Sequence, residues 1–356
     1  MNIYIGTKPI GIDHPTLFIA EIGSNHEASL DRAVELIHLA KKSGADAVKF
    51  QSFRADKIVS KNGFDSLPKM AHQSKWEDDV YTVYRKASLP VEWIPLLYEE
   101  CKKIGIIFLS TPYDLEMVDI LDPYVEAFKI GSGDITWPDM LRKVTSKKKP
   151  ILLSTGASSS EDVIRAVRQI LLENKNAELI LMQCNTNYTG NLENYSFANL
   201  NVLRTYQEHF KYHWPIQYGF SDHTLGLDCV LGAVSLGARV IEKHFTDNPS
   251  RSGPDHKFAM SPHEWREMID ATRILERALG NGVKIVEENE KESIIVQRRC
   301  LRASRDIAKD EIITSEMIDV LRPAHIGSIA PTNDLLGRRV KFPIFYGDHF
   351  TWAHFK

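Results

Sequence analysis

Two stretches of the chain decide its fold: PIQYGFSDHTLG, residues 215–226, and ARVIEKHFT, residues 238–246. In each, an apolar and β-rich run ends close to a histidine, His223 in the first and His244 in the second. About one strand-plus-helix unit separates the two histidines. In a closed barrel of parallel strands, this spacing places both side chains on neighbouring strands, at the face where the active sites of such barrels are found. The two stretches therefore predict a shared site, and a divalent metal ion is the ligand that two such histidines indicate.

A similar pattern extends over most of the chain. Apolar, strand-like runs alternate eight times with segments of helical periodicity, as in parallel βα units. The alternation favours a (β/α)8 barrel over an open doubly wound sheet, which more often has five or six strands and a glycine-rich nucleotide turn. The sequence contains neither GxGxxG nor GxxxxGKS. The predicted strands are TLFIAEI (16–22), DAVKFQSF (46–53), IIFLST (106–111), AFKIGS (127–132), PILLSTG (150–156), ELILMQC (178–184), PIQYGFS (215–221) and ARVIEKHF (238–245).

Three segments show clear helix signals between these strands. SLDRAVELIHLAKKSG, residues 29–44, is predicted to end with Gly44 as its C-cap. VEWIPLLYEECKKIG, residues 91–105, precedes the third strand, and SPHEWREMIDATRILERALG, residues 261–280, completes the eighth unit.

The rhythm breaks after residue 281. NGVKIVEENEKES, from residue 281, is polar and charged, and CLRASRDIAKDEIITSEMIDVLRP, residues 300–323, has the texture of short strands and turns. We therefore expect a barrel domain over residues 1–281, a linker over 282–298 and a small β-rich domain over 299–356. A domain of that size has a limited core of its own.

Composition excludes several classes of partner. The chain has 47 acidic and 44 basic residues, a formal charge of -3, and no long basic run, which favours a small-molecule substrate over nucleic acid or a membrane surface. The four cysteines form no CxxC pair, so neither a zinc site nor a disulfide framework is indicated. No apolar stretch approaches the roughly 20 residues of a membrane helix. We expect a cytoplasmic protein with reduced thiols.

Polar residues on five predicted strands share the face opposite to their apolar neighbours, since side chains alternate along a strand. Glu242 and His244 lie opposite Ile241 and Phe245. The same sorting turns one face inward for Glu21, for Lys49 and Gln51, for Lys129, and for Ser221 with His223. Any one of these residues could be purely structural, as a hydrogen-bonded histidine or a solvated residue at a frayed strand end. The whole set is not explained in this way, because each charge in a barrel lumen costs several kcal/mol unless it is paired or binds a ligand.

These residue types indicate an anionic substrate beside a metal ion. Lys49 and Lys129 supply cations suited to a phosphate and a carboxylate. Hydroxyl groups at strand ends add donors, namely those of Thr111, Ser132, Ser154 and Ser221. Two histidines would hold an ion such as Mn2+ with coordination positions left open, where it would act as a Lewis acid. Glu21, on a strand next to the eighth, is placed to act as a general base.

With these residues assembled, the sequence resembles the sialic acid synthase (N-acylneuraminate synthase) family, which joins phosphoenolpyruvate to an N-acylated hexosamine. The resemblance covers nearly the whole chain and depends on the following motifs: FIAEIGSNHEASLDRAVELIHLAKKSGADAVKFQSF (18–53), LSTPYD (109–114), FKIGSGD (128–134), LSTGAS (153–158), GFSDHTLG (219–226), VIEKHFT (240–246), GPDHKFAMSP (253–262) and VLRP (320–323). It implies a (β/α)8 barrel followed by an antifreeze-like (SAF) domain. It also implies a domain-swapped homodimer, in which that domain reaches over the active site of the other subunit.

The resemblance also implies residue roles. Glu21, Glu242 and Lys49 would be catalytic, and His223 and His244 would bind Mn2+ or Mg2+. The phosphoenolpyruvate site would consist of Lys49, Thr111, Lys129, Ser132, Ser154 and Ser221. The acceptor sugar would face Glu242, Tyr188 and Asp255, with Arg322 approaching from the other subunit. After Cys184 the family reads toward a Tyr-Pro pair where this chain has NTNYTG, which leaves Thr186 or Asn187 as the residue facing the phosphate.

The implied reaction polarises an open-chain sugar aldehyde on the metal for attack by C3 of phosphoenolpyruvate. Water then adds at C2, and phosphate leaves by carbon–oxygen cleavage. Two alternatives from other classes stay open: a Schiff-base aldolase with Lys129 or Lys49 as nucleophile, and a carbohydrate- or ice-binding module on an inert barrel. The acceptor also stays open between N-acetylmannosamine, its 6-phosphate and a diacetamido-trideoxyhexose. No extra arginine cluster is evident, which favours an unphosphorylated acceptor.

Overall fold

The chain folds into two compact units, Met1–Gly280 and Asn281–Lys356. A computed structural model describes residues 3–68, 73, 76–212 and 216–356.

The first unit contains the predicted (β/α)8 barrel, which is confirmed. Its eight parallel strands are β3 (Leu17–Glu21), β4 (Ala47–Ser52), β5 (Ile107–Pro112), β6 (Phe128–Ile130), β7 (Ile151–Ser154), β8 (Leu179–Cys184), β9 (Ile216–Asp222) and β10 (Val240–His244). Their hydrogen-bonded order is β5-β4-β3-β10-β9-β8-β7-β6. The end strands β5 and β6 contact each other, so the sheet curls round on itself. Within the barrel, the first strand in sequence, β3, pairs with the last, β10, and Glu21 lies opposite His244.

Helices follow every barrel strand. They are α1 (Leu30–Lys42), α2 (Ala55–Ile58), α3 (Lys61–Asp65), α4 (Val80–Ala87), α5 (Trp93–Ile104), α6 (Leu115–Leu121), α7 (Pro138–Ser146), α8 (Ser160–Glu173), α9 (Val202–Phe210), α10 (Asp228–Ser235) and α11 (Pro262–Leu279). The start of α11 shows how sequence sets such a boundary: Ser261 and Glu264 form a reciprocal capping box, and Pro262 is the first helical residue.

Several boundaries differ from the sequence predictions. The C-cap of α1 is Ser43, and Gly44 follows it with φ +94, a conformation that favours glycine after a helix end. The stretch between β4 and α5, which shows no clear periodicity, contains the short helices α2, α3 and α4. The first residue of the predicted seventh strand, Pro215, lies outside the described residues. The strand itself begins at Ile216.

An antiparallel hairpin of β1 (Ile3–Ile5) and β2 (Lys8–Ile10) precedes the barrel, and sequence analysis missed it. Its isoleucines form one buried cluster with inward-facing residues of the barrel strands, among them Ile19, Ile180 and Val240. The hairpin thus packs on an apolar layer inside the barrel. One alternation further along the same strands, the inward positions become Glu21, Met182 and Glu242. The polar site therefore lies above an apolar layer.

The second unit contains two antiparallel strands, β11 (Cys300–Ala303) and β12 (Ile318–Leu321), in which Cys300 pairs with Leu321. A helix, α12 (Lys291–Gln297), lies within the segment predicted as a linker. A separate apolar core supports this unit and consists of Leu301, Ala303, Ile307, Ile313, Met317, Ile329, Leu335, Val340, Ile344, Phe350 and Phe355. Among the residues that the structure describes, no helix has the length and apolar character needed to cross a membrane.

Candidate active site

A chain of charged side chains crosses the barrel lumen near the carboxyl ends of the strands. The Lys49 ammonium lies 2.7 Å from Glu21 Oε2 and 3.9 Å from Glu242 Oε1, and it donates to Thr111 Oγ1 at 3.0 Å. Lys129 Nζ donates to both carboxylate oxygens of Glu242, at 2.8 and 3.0 Å. All five side chains are buried. The structure therefore brings together five of the predicted site residues in one network.

The two carboxylates of this network have different electrostatic environments. Burial is the largest influence on Glu21 and raises its pKa, against the opposing charge of Lys49. Burial also acts to raise the pKa of Glu242, but the charges of Lys129 and Lys49 outweigh it and lower that pKa to about 2. Lys49 stays protonated, because the charges of Glu21 and Glu242 outweigh its desolvation and raise its pKa. Glu242 is thus a fixed anion, whereas Glu21 gains and loses a proton more readily.

Hydroxyl groups surround the same network. Ser221 Oγ donates to Glu242 Oε1 at 3.2 Å, and the Ser132 hydroxyl accepts from the Gly156 N–H at 2.9 Å. Ser154 is buried at the end of β7, and its Oγ has no hydrogen-bond partner within the part of the chain that the structure describes. A buried hydroxyl without a partner costs free energy, so this group is suited to a ligand.

Gly156 allows two loops to approach closely at this point. A Cβ atom at residue 156 would lie 2.5 Å from Thr186 Cγ2 and 2.9 Å from Ser132 Oγ. Thr186 therefore packs against the end of β7, beside Ser132. Asn187 is exposed, and its amide oxygen accepts from Thr189 N and Oγ1 at 3.1 and 2.7 Å. Of the two residues left open by the sequence, Thr186 is the one that meets Ser132 at Gly156.

The two predicted metal ligands lie side by side. The rings of His223 and His244 have centroids 5.4 Å apart, and Tyr188 contacts both, at 4.5 and 6.4 Å. His223 Nδ1 lies 2.8 Å from the Asn185 carbonyl oxygen, and His244 Nδ1 is buried without a hydrogen-bond partner among the described residues. Burial lowers the pKa of His223 to about 3 and that of His244 to about 4. Both rings are therefore neutral at physiological pH, the state that binds metals.

This pair is compatible with a divalent ion but does not complete a coordination sphere. No group of three or more His, Cys, Asp or Glu residues with metal-ligand geometry occurs among the described residues. Asp255 Oδ2 lies 3.9 Å from His244 Nδ1 and accepts instead from Ser24 N and Oγ, at 3.1 and 2.7 Å. Two neutral imidazoles, one of them with a buried nitrogen that lacks a partner, suit an ion whose other positions hold water or substrate.

A cavity of about 180 Å³ opens beside these residues and is lined by side chains of two kinds. Four of the lining residues are polar: Ser24, Gln51, His244 and Asp255. The others are aromatic or aliphatic: Phe53, Trp76, Val83, Tyr84, Ala87, Tyr113, Tyr188 and Pro254. Three of these, Val83, Tyr84 and Ala87, belong to α4, in the stretch whose helices the sequence did not reveal. We call the residues Phe53, Trp76, Val83, Tyr84 and Ala87 the apolar wall.

Other members of the site had no role in the sequence prediction. Gln51 was predicted to face inward on β4 but was given no function, and its Nε2 donates to Glu21 Oε1 at 2.7 Å. Ser24 holds Asp255 in place but follows β3 in a loop with no distinguishing pattern. Cys184 Sγ lies 3.8 Å from His223 Nδ1. All four cysteines are buried and unpaired.

Arg322, the remaining predicted site residue, belongs to the second unit. It is exposed and directly follows β12, before the cis peptide bond to Pro323.

The fold and the site define a class of protein: a (β/α)8 barrel with charged side chains in its lumen at the carboxyl ends of the strands, followed by a second small unit. Comparisons with known proteins identify the family within this class. A model of the NeuB family matches residues 36–284, and a model of the SAF domain matches residues 298–356. The chain belongs to the NeuB family, the sialic acid synthase family that its motifs resemble, and the predicted antifreeze-like (SAF) domain is confirmed.

Named relatives span almost the whole chain. The N,N'-diacetyllegionaminic acid synthase of Campylobacter jejuni is 36% identical over 326 residues, which is 91% of this chain and 95% of the relative. A pseudaminic acid synthase of the same species is 32% identical, over 97% of this chain and 98% of the relative. Among solved structures, the N-acetylneuraminic acid (sialic acid) synthetase of Leptospira borgpetersenii, in complex with citrate, is 28% identical with a TM-score of 0.72, over 83% of this chain and 95% of that one.

Proposed function

We propose that this chain condenses phosphoenolpyruvate with an uncharged N-acylated hexosamine and releases inorganic phosphate. The observation that carries the proposal is the buried network of Glu21, Lys49, Lys129 and Glu242, which Gln51 connects to a cavity lined by both polar and apolar residues. The NeuB relatives named as synthases of legionaminic and pseudaminic acids support the same reaction class.

Phosphoenolpyruvate would bind at the two lysines and the hydroxyls around them. An ammonium group has three N–H donors, and Glu242 occupies only part of the donor capacity of Lys129. The unpartnered Ser154 hydroxyl adds a donor on the same side of the lumen. Thr111, Ser132 and Ser221 are at hydrogen-bonding distance from other members of the site. Together these groups suit an anion with a phosphate and a carboxylate.

Glu242 would hold this set of cations in place. Its pKa of about 2 keeps it ionised at every physiological pH, so its carboxylate orients the Lys129 side chain and helps to raise the pKa of Lys49. Truncation of Glu242 would leave two ammonium groups buried side by side, which is costly.

Glu21 would act as the general base. C3 of phosphoenolpyruvate forms the new bond to the acceptor aldehyde carbon while the aldehyde C=O π bond breaks and its oxygen takes up a proton, which leaves C2 electron-deficient. Water then adds at C2 and loses a proton, and the resulting C2 hydroxyl loses its own proton to become the ketone as the C2–O bond breaks and phosphate leaves. Glu21, oriented by Gln51 and Lys49, would take the proton of that water. Its pKa is raised and so lies nearer to pH 7 than that of an ordinary glutamate, which makes it a stronger base.

His223 and His244 would hold a divalent ion, Mn2+ or Mg2+, since both rings are neutral and one buried nitrogen lacks a partner among the described residues. When bound, such an ion would supply Lewis-acid polarisation of the acceptor carbonyl. Tyr188 packs against both rings and restricts their orientation.

The cavity above the site suggests what the acceptor is. Asp255 and Gln51, which line it, suit sugar hydroxyl groups, and the apolar wall suits an N-acyl methyl group or a deoxy carbon. None of the described residues that line this cavity is lysine or arginine. This lining favours an acceptor without a phosphate. In the proposed homodimer, Arg322 of a second subunit would be a hydrogen-bond donor to that uncharged sugar.

The geometry argues against the Schiff-base alternative. A nucleophilic lysine must lose its proton, whereas Lys49 has a raised pKa and lies 2.7 Å from Glu21. Lys129 is bound through two contacts to the Glu242 carboxylate. Borohydride treatment in the presence of substrate should therefore trap no covalent adduct.

A panel of acceptors tests the proposed function. Phosphate release from phosphoenolpyruvate would be measured with Mn2+ and N-acetylmannosamine, its 6-phosphate, or a diacetamido-trideoxyhexose. We expect release that requires an acceptor, is lost with a chelator, and is faster with unphosphorylated acceptors. No release with any acceptor would contradict the proposed reaction and favour a binding protein, whereas preference for the 6-phosphate would contradict only the proposed acceptor class.

A further inference from the structure

A buried ion pair lies on the outer side of the barrel, directly behind the two histidines. Lys243 Nζ is 2.6 Å from Asp222 Oδ2, and both side chains have no exposed surface. Lys243 stands between Glu242 and His244 on β10, and Asp222 stands between Ser221 and His223 in sequence. Since side chains alternate along a strand, this pair points away from the lumen that its neighbours face. It does not touch the substrate cavity.

The ion pair is bonded to the turn that carries His223. Asp222 Oδ1 accepts from Thr224 N at 2.9 Å and from Thr224 Oγ1 at 2.7 Å, and Lys243 Nζ donates to the Thr224 carbonyl. Three side chains and two backbone groups of Thr224, its N–H and its carbonyl, thus form a single polar network. We call Asp222, Thr224 and Lys243 the turn clamp.

The turn clamp begins where the backbone ladder ends. The register of β9 with β10 runs from Gly219 opposite Val240 to Asp222 opposite Lys243 and goes no further. His223 is the next residue, so strand pairing with β10 does not fix it. Its ring contacts Tyr188 and Cys184 and is bonded to the Asn185 carbonyl, and its backbone is held by the turn that Asp222 and Thr224 form around it.

We propose that the turn clamp is a positioning device that sets the distance and orientation of His223 relative to His244 for a shared divalent ion. The proposal depends on the metal-binding role proposed above for these two histidines. A site with only two protein nitrogens has few bonds to the metal ion. Its affinity for the ion therefore depends strongly on whether the two ligands are already held in the right positions. A buried ion pair with no exposed surface is also a costly way to obtain stability alone, because apolar residues of similar volume are often as good or better.

Isothermal titration of the purified full-length chain with Mn2+ tests the proposal. Lys243→Met removes the charge and the donor to the Thr224 carbonyl but keeps an unbranched side chain of similar length. We expect Mn2+ affinity to fall by at least about tenfold, the range found when outer-shell partners of metal ligands are replaced. Thr224→Val removes only the hydroxyl donor to Asp222 and should lower the affinity by a smaller factor.

Two controls separate positioning from general destabilisation. Leu141→Ala removes buried packing from α7, which packs beside α6 and α8 and has no contact with the turn clamp in the described network. It should lower the melting temperature but leave Mn2+ affinity unchanged, at a temperature where circular dichroism shows every variant folded. In a His223→Ala background, Lys243→Met should cause no further loss, because the two changes act through one ligand.

Wild-type Mn2+ affinity in Lys243→Met would overturn the proposal, as would an equal loss in Leu141→Ala. If Lys243→Met does not fold, Thr224→Val decides, and unchanged affinity in that variant also overturns it. If the wild-type chain binds no Mn2+, the proposed role of the turn clamp is also wrong, because there is no ion to position. The proposed function would fail separately, through absence of phosphate release with every acceptor.

Discussion

At the scale of single residues, the site depends on charges that are buried but balanced. Lys49 lies between Glu21 and Glu242, Lys129 pairs with Glu242, and all four side chains are buried. Alternation along the predicted strands was enough to predict that these side chains turn inward. Sequence could not predict which lysine pairs with which carboxylate, because that depends on strand register and side-chain reach across the lumen.

Glu21→Gln tests the general-base role directly. The amide keeps the shape of the side chain but cannot accept a proton, so we expect kcat to fall by about 10²–10⁴-fold. The Gln51 hydrogen bond can persist, so the fold should be intact by circular dichroism and the affinity for phosphoenolpyruvate little changed. Phosphate release within about tenfold of the wild type would contradict this role.

The pH dependence of the rate tests the environment of Glu21. Burial raises its pKa, and the base is the ionised form, so kcat/KM should rise with pH across an acidic limb. The apparent pKa of that limb should lie above 4.5, the ordinary glutamate value. Rates measured between about pH 4 and 8 at saturating acceptor would show the limb. An apparent pKa at or below 4.5 would mean that the charge of Lys49 lowers the pKa of Glu21 by at least as much as burial raises it.

At the scale of secondary-structure elements, sequence was informative where periodicity was strong and uninformative where it was weak. The barrel strands and α1, α5 and α11 were predicted to within a few residues, since apolar alternation and caps mark them. The β1–β2 hairpin and α2, α3 and α4 were not. Each has at most eight residues, which is too short for a periodic pattern, and their positions depend on packing against the barrel.

The short helix α4 supplies a prediction about acceptor choice. Ala87 lies on the apolar wall, and Ala87→Phe would fill space that we assign to an acyl methyl or deoxy carbon. Acceptor KM should rise roughly tenfold or more, as expected for a blocked hydrophobic contact, with KM for phosphoenolpyruvate unchanged.

Arg85→Ala is the matched control for Ala87→Phe, because Arg85 is on the same helix, is exposed and does not line the cavity. It should leave both KM values at wild-type levels. Equal effects of Ala87→Phe on the two KM values would show that the apolar wall does not contact the acceptor.

At the scale of the whole molecule, the order of the strands explains how distant motifs form one site. Pairing of β3 with β10 brings Glu21 opposite His244, although more than two hundred residues separate them. Closed-barrel topology predicted this neighbourhood from the count of eight βα units.

Complementation between inactive variants tests the proposed homodimer. If Arg322 completes the site of the other subunit, a heterodimer of Glu21→Gln and Arg322→Ala contains one site with both residues intact. Random exchange of subunits should then restore about a quarter of wild-type activity, since about half of the dimers are mixed and each has one working site. Each variant alone should stay inactive or nearly so. An absence of recovery, with exchange verified by mass spectrometry, would contradict a shared site.

The most direct test of the proposed reaction follows the bridging oxygen of phosphoenolpyruvate. Substrate labelled with ¹⁸O between C2 and phosphorus would be incubated with Mn2+ and the preferred acceptor, and the released phosphate would be examined by mass spectrometry. Carbon–oxygen cleavage predicts that the label leaves with phosphate and that no phosphate forms without acceptor. Unlabelled phosphate, or phosphate released without acceptor, would contradict addition of water at C2 in the Glu21 site.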